Sequence, residues 1–489
     1  MITLGSELQT LASEDIDMRI PSIMNKGLLL TLFSMMLPAA TLAQAQEVTF
    51  HKDIEPILQR SCQTCHRPGG VAPMPLVEYE QVAPYAGLIE YKTGLRDRAG
   101  AMPPWYAEKN VGIQHYKDDP SLSDEEIAAI STWARSGTPK GDVADAPEPL
   151  VFDDATKWKL GEPDLIVNTE DFFMEAGRPD WWGEIPSIPT GLTEDRYVKS
   201  IEIVEVNDVG VGAEASDTVG GLYIFHHMIW RTEVLDENGD ILPGEAVNWP
   251  VHEVGRNGDV FDPDAGPLLK ANSAFFTDSV HMHSNGRDTT GHLQLGFTFH
   301  PEGYEPKYRS RVSSLGNGVD ISVEGNARDQ ELHAYQVLTE NTKVITFEPH
   351  LHAPGERMCL EAIWGYTVET LSCVGYDHNW VRGYGFQDDY TPLLPAGTVL
   401  HITGYFDNTS ANMNVPDARN WQGSGNRSVT NMFIDLGSRV TMTDEQFDEE
   451  MEKRRQNLNL GPNDHVIGCP LCLAPLVWPI DETSGGGSE

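Results

Sequence analysis

The spacing of hydrophobic positions changes near residue 150. Between residues 47 and 142, apolar residues recur at helical spacing, as at Ile54 and Leu58 and again at Ile130 and Trp133. Ser123 before an acidic first turn and a glycine after the last apolar position mark the ends of a helix there. Beyond an acidic, proline-bearing linker, short runs alternate apolar and polar residues and are separated by Gly, Asn, Asp and Pro. The pattern predicts a small all-α domain at 46–145, followed by antiparallel β-sandwich domains.

The first 45 residues predict export. From Met24, a single Lys26 precedes an apolar run that ends at Ala43-Gln44-Ala45, the layout of a secretory signal peptide. Residues 1–23 are polar and fit neither a domain nor a signal, so we hypothesise that translation begins at Met24. No later run reaches the roughly 18 apolar residues of a membrane helix. We therefore expect a periplasmic or secreted protein with no membrane span in its mature form.

The length and net charge of the chain limit the number of domains and the kinds of partner to expect. The chain has 489 residues, 40% of them hydrophobic, which is enough for two to four packed domains. Its 74 acidic residues against 34 basic ones give a formal charge of −40. Such a chain repels nucleic acid and anionic lipid, so charged partners should be cationic or metal-loaded. Solubility is the simpler explanation of the acidity.

Four of the six cysteines predict disulfides. Cys359 and Cys373 lie on neighbouring predicted strands, where a bond could cross a hairpin. Cys469 and Cys472, in a tail predicted at 443–489, could form a tight disulfide or half of a metal site. No second cysteine pair is present to complete a four-thiolate zinc site, which favours the disulfide.

The other two cysteines belong to a haem-attachment motif. Cys62 and Cys65 are separated by two residues and followed by His66. Two thiols at this spacing can reach the two vinyl-derived carbons of one porphyrin, and the adjacent imidazole then binds the iron. A thioredoxin-like redox pair and a zinc half-site are the alternatives, and both are disfavoured by the histidine and the export signal. The motif predicts covalently bound haem c.

Met102 is the predicted sixth iron ligand. It lies downstream of the motif in the run AMPPWY, and thioether ligation raises the reduction potential as an electron carrier requires. His51 and His115 are rival ligands, and Met102 could instead line the haem pocket. In motif and element order, the segment resembles a class I cytochrome c domain.

Paired histidines indicate a metal site in the β region. Residues two apart on a strand share a face, whereas adjacent residues point to opposite faces unless a bulge or strand end intervenes. Imidazole sets suit copper or zinc, and an added thioether indicates copper(I). The pairs are His226 with His227, His281 with His283, and His350 with His352.

These pairs occur in runs that resemble the copper type II, ascorbate-dependent monooxygenases, the family of the peptidylglycine hydroxylating and dopamine beta-monooxygenases. The runs are HHM at 226–228, VHMHSNG at 280–286, PHLHAPG at 349–355, then YFDNTSANMNVPD and SVTNMFID. The resemblance covers about residues 155–442. It implies two sandwich domains, at 155–318 and 325–442, with one copper each across a solvent-filled cleft.

The resemblance also implies the ligands and their roles. The electron-storing copper would be held by His226, His227 and His281. The oxygen-binding, catalytic copper would be held by His350, His352 and Met432. His283 and Met413 match no ligand of the family and are assigned supporting roles.

The implied function is an exported copper-dependent monooxygenase that hydroxylates a C–H bond of a small organic substrate with dioxygen. Two electrons must arrive per turnover from an external donor, and the fused haem domain suggests delivery through haem. The alternative is a non-catalytic electron-transfer or copper-binding protein.

The residues at the substrate-binding positions differ from those of the peptide-amidating members of this family. Those enzymes place a carboxylate-binding Arg two residues before the first histidine of the His-x-His pair, where this chain has Glu348. The Asn and Tyr that follow their methionine ligand are here Ile434 and Leu436. A peptide substrate is therefore disfavoured. Glu348 could receive a cationic amine or serve as a structural acid.

Overall fold

A computed structural model describes residues 47–68, 70, 72–152, 158–209, 222–253, 258–312, 315–317, 319–425, 430–461 and 464–472. The predicted signal peptide and the residues before it lie outside this range, as does the end of the tail from residue 473 onward. The described residues from Val48 onward belong to one compact unit. No helix in the described ranges has the length and apolar character needed to cross a membrane.

Helices dominate the first hundred described residues. A π-helical turn at Phe50–Ile54 leads into α1, and a 3-10 turn at Ala83–Tyr85 separates α2 from α3. Ser123 caps α4: its hydroxyl accepts from the Glu126 amide, and the Glu126 carboxylate accepts from the Ser123 amide. The helices are α1 Glu55–Ser61, α2 Tyr79–Val82, α3 Ala86–Gly94 and α4 Asp124–Arg135.

These helices enclose a small core. Phe50, Leu58 and Trp133 are fully buried in it, and Ile130 is almost so. The predicted apolar face of α4 is therefore the face that packs inward. The cytochrome c identity of this segment stays a prediction, since helices around a core are not specific to one family.

Much of the chain between α3 and α4 packs against the β region. Trp105 and Tyr116 are buried in the same hydrophobic core as the last group of strands. The backbone amide of Glu108 donates to the carbonyl of Cys373, which lies on one of those strands. The segment that carries Met102 is thus joined to the β region by both side chains and backbone.

The first group of strands forms two six-stranded antiparallel sheets. One has the order β1-β12-β5-β10, with β2 beside β12 and β9 beside β5; the other has β3-β11-β6-β7, with β4 beside β11 and β8 beside β6. The strands are β1 Leu165–Asn168, β2 Phe172–Met174, β3 Trp181–Gly183, β4 Ile188–Pro189, β5 Arg196–Asn207, β6 Phe225–Val234, β7 Val247–Asn248, β8 His252–Glu253, β9 Gly258–Val260, β10 Leu268–Leu269, β11 Ser273–Met282 and β12 Thr289–Phe299.

The second group contains β13 Arg309–Val312, β14 Leu315–Asn317, β15 Gln330–Val337, β16 Asn341–Val344, β17 Thr346–Phe347, β18 Pro349–Leu351, β19 Gly355–Trp364, β20 Thr367–Gly375, β21 Tyr384–Gly385, β22 Leu393–Leu394, β23 Val399–Phe406, β24 Phe433–Asp435 and β25 Ser438–Met442. Its sheets are β13-β25-β16-β22, β14-β24-β18, β15-β23-β19-β20 and the pair β17-β21. Helix α5, Asp444–Asn457, follows β25.

Each group has its own core. Side chains from both sheets of the first group, among them Leu295 and Trp230, pack into one cluster, as in a sandwich. The antiparallel sheets confirm the β part of the predicted fold class. Because β13 and β14 pair with β25 and β24, the second group begins at Arg309, earlier than the division expected near residues 318–325.

Both predicted disulfide pairs lie at bonding distance. Cys359 and Cys373 are directly opposite in the β19–β20 pairing, with their sulfur atoms 2.00 Å apart. The Cys469 and Cys472 sulfurs are 1.81 Å apart, and both side chains are buried near α5.

Candidate metal centre and haem-attachment segment

A β-bulge gives the adjacent histidines of β6 their positions. Strand β11 pairs with β6 so that His281 opposes His227 and Met282 opposes Phe225. His226 is therefore the extra residue of a bulge, the irregularity that adjacent histidines need in order to serve one region.

His226 lies within a first group of rings. Its ring centre is 5.0 Å from that of His281 and 4.6 Å from that of His283. Trp182 stacks on His281 at 4.4 Å, and His281 Nε2 lies 3.0 Å from a carboxylate oxygen of Asp180. His283, which matched no ligand of the family, thus belongs to this group.

His350 and His352 form a second group, with ring centres 5.4 Å apart. In the antiparallel pairing of β18 with β24, His350 lies opposite Ile434. His352 and Met432 are the next residues beyond the paired ends of the two strands, and directly opposite residues share a face. His352 Nδ1 lies 3.2 Å from the carbonyl oxygen of Thr430. The backbone therefore brings Met432 to the same end of this sheet as the two histidines.

His227 lies beside the second group. Its ring stacks on His350 with centres 5.1 Å apart, and one carboxylate oxygen of Glu253 is 3.0 Å from Nδ1 of each ring. Within the described part of the chain, only His227, Glu253 and His350 place three such ligand atoms within 4.8 Å of one another. The resemblance groups His227 with His226 and His281, whereas the structure puts it next to His350.

Two residues of the centre have no signal in the sequence. His378, a single histidine in the run YDHNW, has its ring centre 6.1 Å from His226 and 6.2 Å from His352. Glu253 comes to the centre because β8 pairs with β6 opposite His227. We call the seven rings together the histidine array: His226, His227, His281, His283, His350, His352 and His378.

Burial keeps several rings of the array uncharged. Burial, and then the neighbouring imidazoles, hold the pKa of His226 and of His352 well below the usual value, and lower that of His378 to about 4. Burial alone would raise the pKa of Glu253, but His227 and His350 hold it well below its usual range. The centre therefore combines neutral imidazoles with one ionised carboxylate that is 1% exposed.

These donors fit a transition metal. Nδ1 of His226 and Nδ1 of His378 are buried and have no hydrogen-bond partner among the described residues. An unpaired buried nitrogen costs stability that an ion would offset, and neutral imidazole is a common ligand of copper and zinc. Met413 is 92% exposed and lies outside this buried set.

Glu348 is fully buried, at 0% exposure. Its backbone amide donates to Asp435, and its carbonyl accepts from Leu436. Glu348 thus lies inside the second group of strands and not on a surface that a substrate could reach from solvent.

The haem-attachment motif has two free thiols and a histidine ring held against a backbone carbonyl. Cys62 and Cys65 are free thiols, and burial, then the neighbouring Cys65, raise the pKa of Cys62 to about 12. The ring of buried His66 lies with Nδ1 2.9 Å from the carbonyl oxygen of Met74. A histidine that donates one ring nitrogen to a carbonyl keeps the other for a metal. These residues therefore fit the covalent attachment of haem c.

Met102 lies at a cavity. The cavity has a volume of about 230 Å³ and is lined in part by Leu122 and Ile127, which also pack with the helical core. Met102 is 40% exposed, and its peptide bond to Pro103 is cis. Met102 is therefore a partly exposed residue of the cavity wall, and the lining of this cavity does not include Cys62, Cys65 or His66.

The two alternative iron ligands, His51 and His115, both have other contacts in the structure. His51 Nδ1 lies 2.8 Å from a carboxylate oxygen of Glu55, one helical turn away. His115 is exposed, and its ring stacks on Tyr390 of the β region at 3.5 Å. Met102 stays the predicted sixth ligand.

Comparison with known proteins identifies no family. No family model matches the chain, and no curated protein matches it. Among solved structures, the similarities are remote. A structure described as an alpha-L-fucosidase from Bacteroides ovatus is 10% identical with a TM-score of 0.15, over 58% of this chain and 40% of that one. The chain thus spans about two fifths of that protein.

Two viral structures are similarly remote. The infectious bursal disease virus VP2 subviral particle is 8% identical with a TM-score of 0.18, over 58% of this chain and 74% of that one. The Sulfolobus Turreted Icosahedral Virus structure is 12% identical with a TM-score of 0.11, over 60% and 97%. Scores this low carry no argument about function.

Proposed function

We propose that the protein is an exported copper-dependent monooxygenase that receives electrons through covalently bound haem c. The observation that carries the proposal is the histidine array. Histidine pairs from three distant stretches of sequence meet in one buried region between the two groups of strands. Met432 lies at the end of the sheet that carries His350 and His352. Copper bound there would supply the one-electron and dioxygen chemistry.

Neighbouring residues of the chain orient and bury these rings. The carboxylate of Glu253 faces Nδ1 of both His227 and His350, which orients the rings and leaves Nε2 of each for a metal. Burial lowers the pKa of His226, His352 and His378 and so keeps these rings neutral, the form that binds metal. The overall reaction balances as RH + O₂ + 2e⁻ + 2H⁺ → ROH + H₂O, so two electrons must arrive per turnover.

The segment carrying Met102 supports haem as the route of those electrons. It is joined by backbone hydrogen bonds to β20, and β20 leads directly to His378. The segment that carries Met102 therefore lies against the strand that leads to the array.

The test combines metal analysis with oxygen consumption. We expect about two coppers and one haem per chain, and dioxygen uptake by the reduced protein in the presence of a small amine or hydrocarbon substrate. A His350→Ala variant should lose the uptake while keeping its haem, and His333→Ala, outside the array, should keep both. Zinc in place of copper would refute the proposal.

A specific observation favours the alternative of non-catalytic copper binding. The ring contacts run without a break from His283 through His226, His378 and His352 to His350, rather than forming two sets separated by a cleft. Such a series suits copper storage or electron relay. Copper that is reduced and yet fails to react with dioxygen, with every substrate tried, would support this alternative.

A further inference from the structure

His378 lies between the first group of rings and the second. Its neighbours are His226, on the first group of strands, and His352, on the second. Two imidazoles that share an ion, with metal–nitrogen bonds of about 2.0–2.1 Å, have ring centres roughly 5–6 Å apart. The separations of 6.1 and 6.2 Å lie just above this range.

The loop around His378 is held firmly. The Tyr376 hydroxyl donates to the carbonyl oxygen of Leu351 at 2.6 Å, and Leu351 lies between His350 and His352. This contact fixes the start of the loop to the strand that carries the second group of rings.

The next residue fixes the loop on its other side. The Asp377 carboxylate accepts from the backbone amide of Gly100 at 2.8 Å and from the Tyr106 hydroxyl at 3.2 Å. It also accepts from the amide of Asn379. His378 is therefore presented by a loop fastened both to the array and to the segment that contains Met102.

Most buried ring nitrogens have a hydrogen-bond partner. Nδ1 of His378 instead has no hydrogen-bond partner among the described residues, as is also true of Nδ1 of His226. Two unpaired nitrogens on neighbouring rings are the pattern expected of a ligand pair.

We infer that His378 is a metal ligand, bound through Nδ1, that joins the first group of rings to the second. This inference rests on the proposed function, because it takes the array to be the copper centre. It adds a ligand that the monooxygenase resemblance does not contain, and a second link between the two groups of strands besides that of His227 with His350.

The experiment titrates the haem-loaded, full-length protein with copper(I) under anaerobic conditions, in competition with a chromophoric chelator. We expect His378→Ala to weaken at least one bound copper by at least about tenfold. After oxidation, the electron paramagnetic resonance spectrum should show altered nitrogen hyperfine couplings. His333→Ala, a histidine that pairs with His401 outside the array, is the matched control and should behave as wild type.

The outcomes separate the inference from the function. Wild-type affinity and an unchanged spectrum in His378→Ala would overturn the ligand role while leaving the copper enzyme intact. A wild-type protein that binds zinc(II) but no copper would refute the proposed function, yet weaker zinc binding by His378→Ala would still support the ligand role. His378→Gln, which retains a polar side chain of similar size, replaces the alanine variant if circular dichroism shows that the latter is misfolded.

Discussion

The haem-attachment segment and the histidine array both gather metal-binding side chains, one from neighbouring residues and the other from distant parts of the chain. In the first, both thiols and the iron-binding imidazole come from five consecutive residues, 62–66, so one turn of chain fixes their spacing. In the second, the donors come from several strands and loops of two sheet groups and meet only when those groups pack. A local site can be altered without affecting the rest, whereas a dispersed site should respond to changes at a distance.

The largest expected effect concerns the local site. Replacing Cys62 and Cys65 by serine should abolish covalent haem altogether, because both thioether bonds are lost. Haem staining after denaturing electrophoresis and the absorption spectrum provide the measurement. Copper binding should be unchanged, since the array takes no ligand from this segment.

A second cysteine pair provides the control. Cys469 and Cys472 have the same spacing but no histidine after them. Their replacement by serine should leave haem attachment at the wild-type level. Loss of haem in this variant, or its retention in the first, would contradict the assignment of the motif.

An intermediate effect is expected at Glu253, which contacts rings from both groups of strands. Glu253→Gln should weaken metal binding about 10–100-fold, because an orienting carboxylate becomes a neutral amide. The matched control is Glu361→Gln, since Glu361 also pairs with a histidine, His401 Nδ1 at 2.8 Å, but outside the array. Equal metal affinities in the two variants, measured by chelator competition, would show that Glu253 does not orient the rings.

The smallest effect is a pH dependence of the metal-free protein. Burial lowers the pKa of His378 to about 4 in the folded chain, from the ordinary histidine value of 6.5 that applies when the chain is unfolded. Between these values the unfolded chain binds a proton that the folded chain does not, so wild type loses stability as the pH falls from 6.5 to 4. Above that window both states hold the ring neutral, and the contribution no longer changes with pH.

Chemical denaturation of wild type and His378→Gln measures this loss. The difference between their free energies of unfolding should change by up to about 1 kcal/mol per pH unit over that window. The comparison cancels the titration of the many acidic residues, which both proteins share. A difference that stays constant across the window would show that the ring is not buried in the neutral state.

The sequence predicted the pattern of elements more fully than their assembly. The helix start at Ser123, the apolar face of α4 and the alternating strands follow from interactions within a few residues, and each is present. The sequence did not indicate the group to which β13 and β14 belong, because neither strand carries a mark of its pairing partner. Pairing with β25 and β24, more than a hundred residues later, assigns them to the second group.

For the candidate site, the sequence by itself determined which residue types could bind metal and that His226 and His227 needed a bulge to cooperate. It could not determine neighbours, because a ring's surroundings depend on how strands distant in the chain pair and pack. Tertiary structure alone put His227 beside His350, brought His283 into contact with His226, and added Glu253 and His378. Periodicity records which face of a strand a residue occupies, while only the packing of the two sheet groups decides what that face meets.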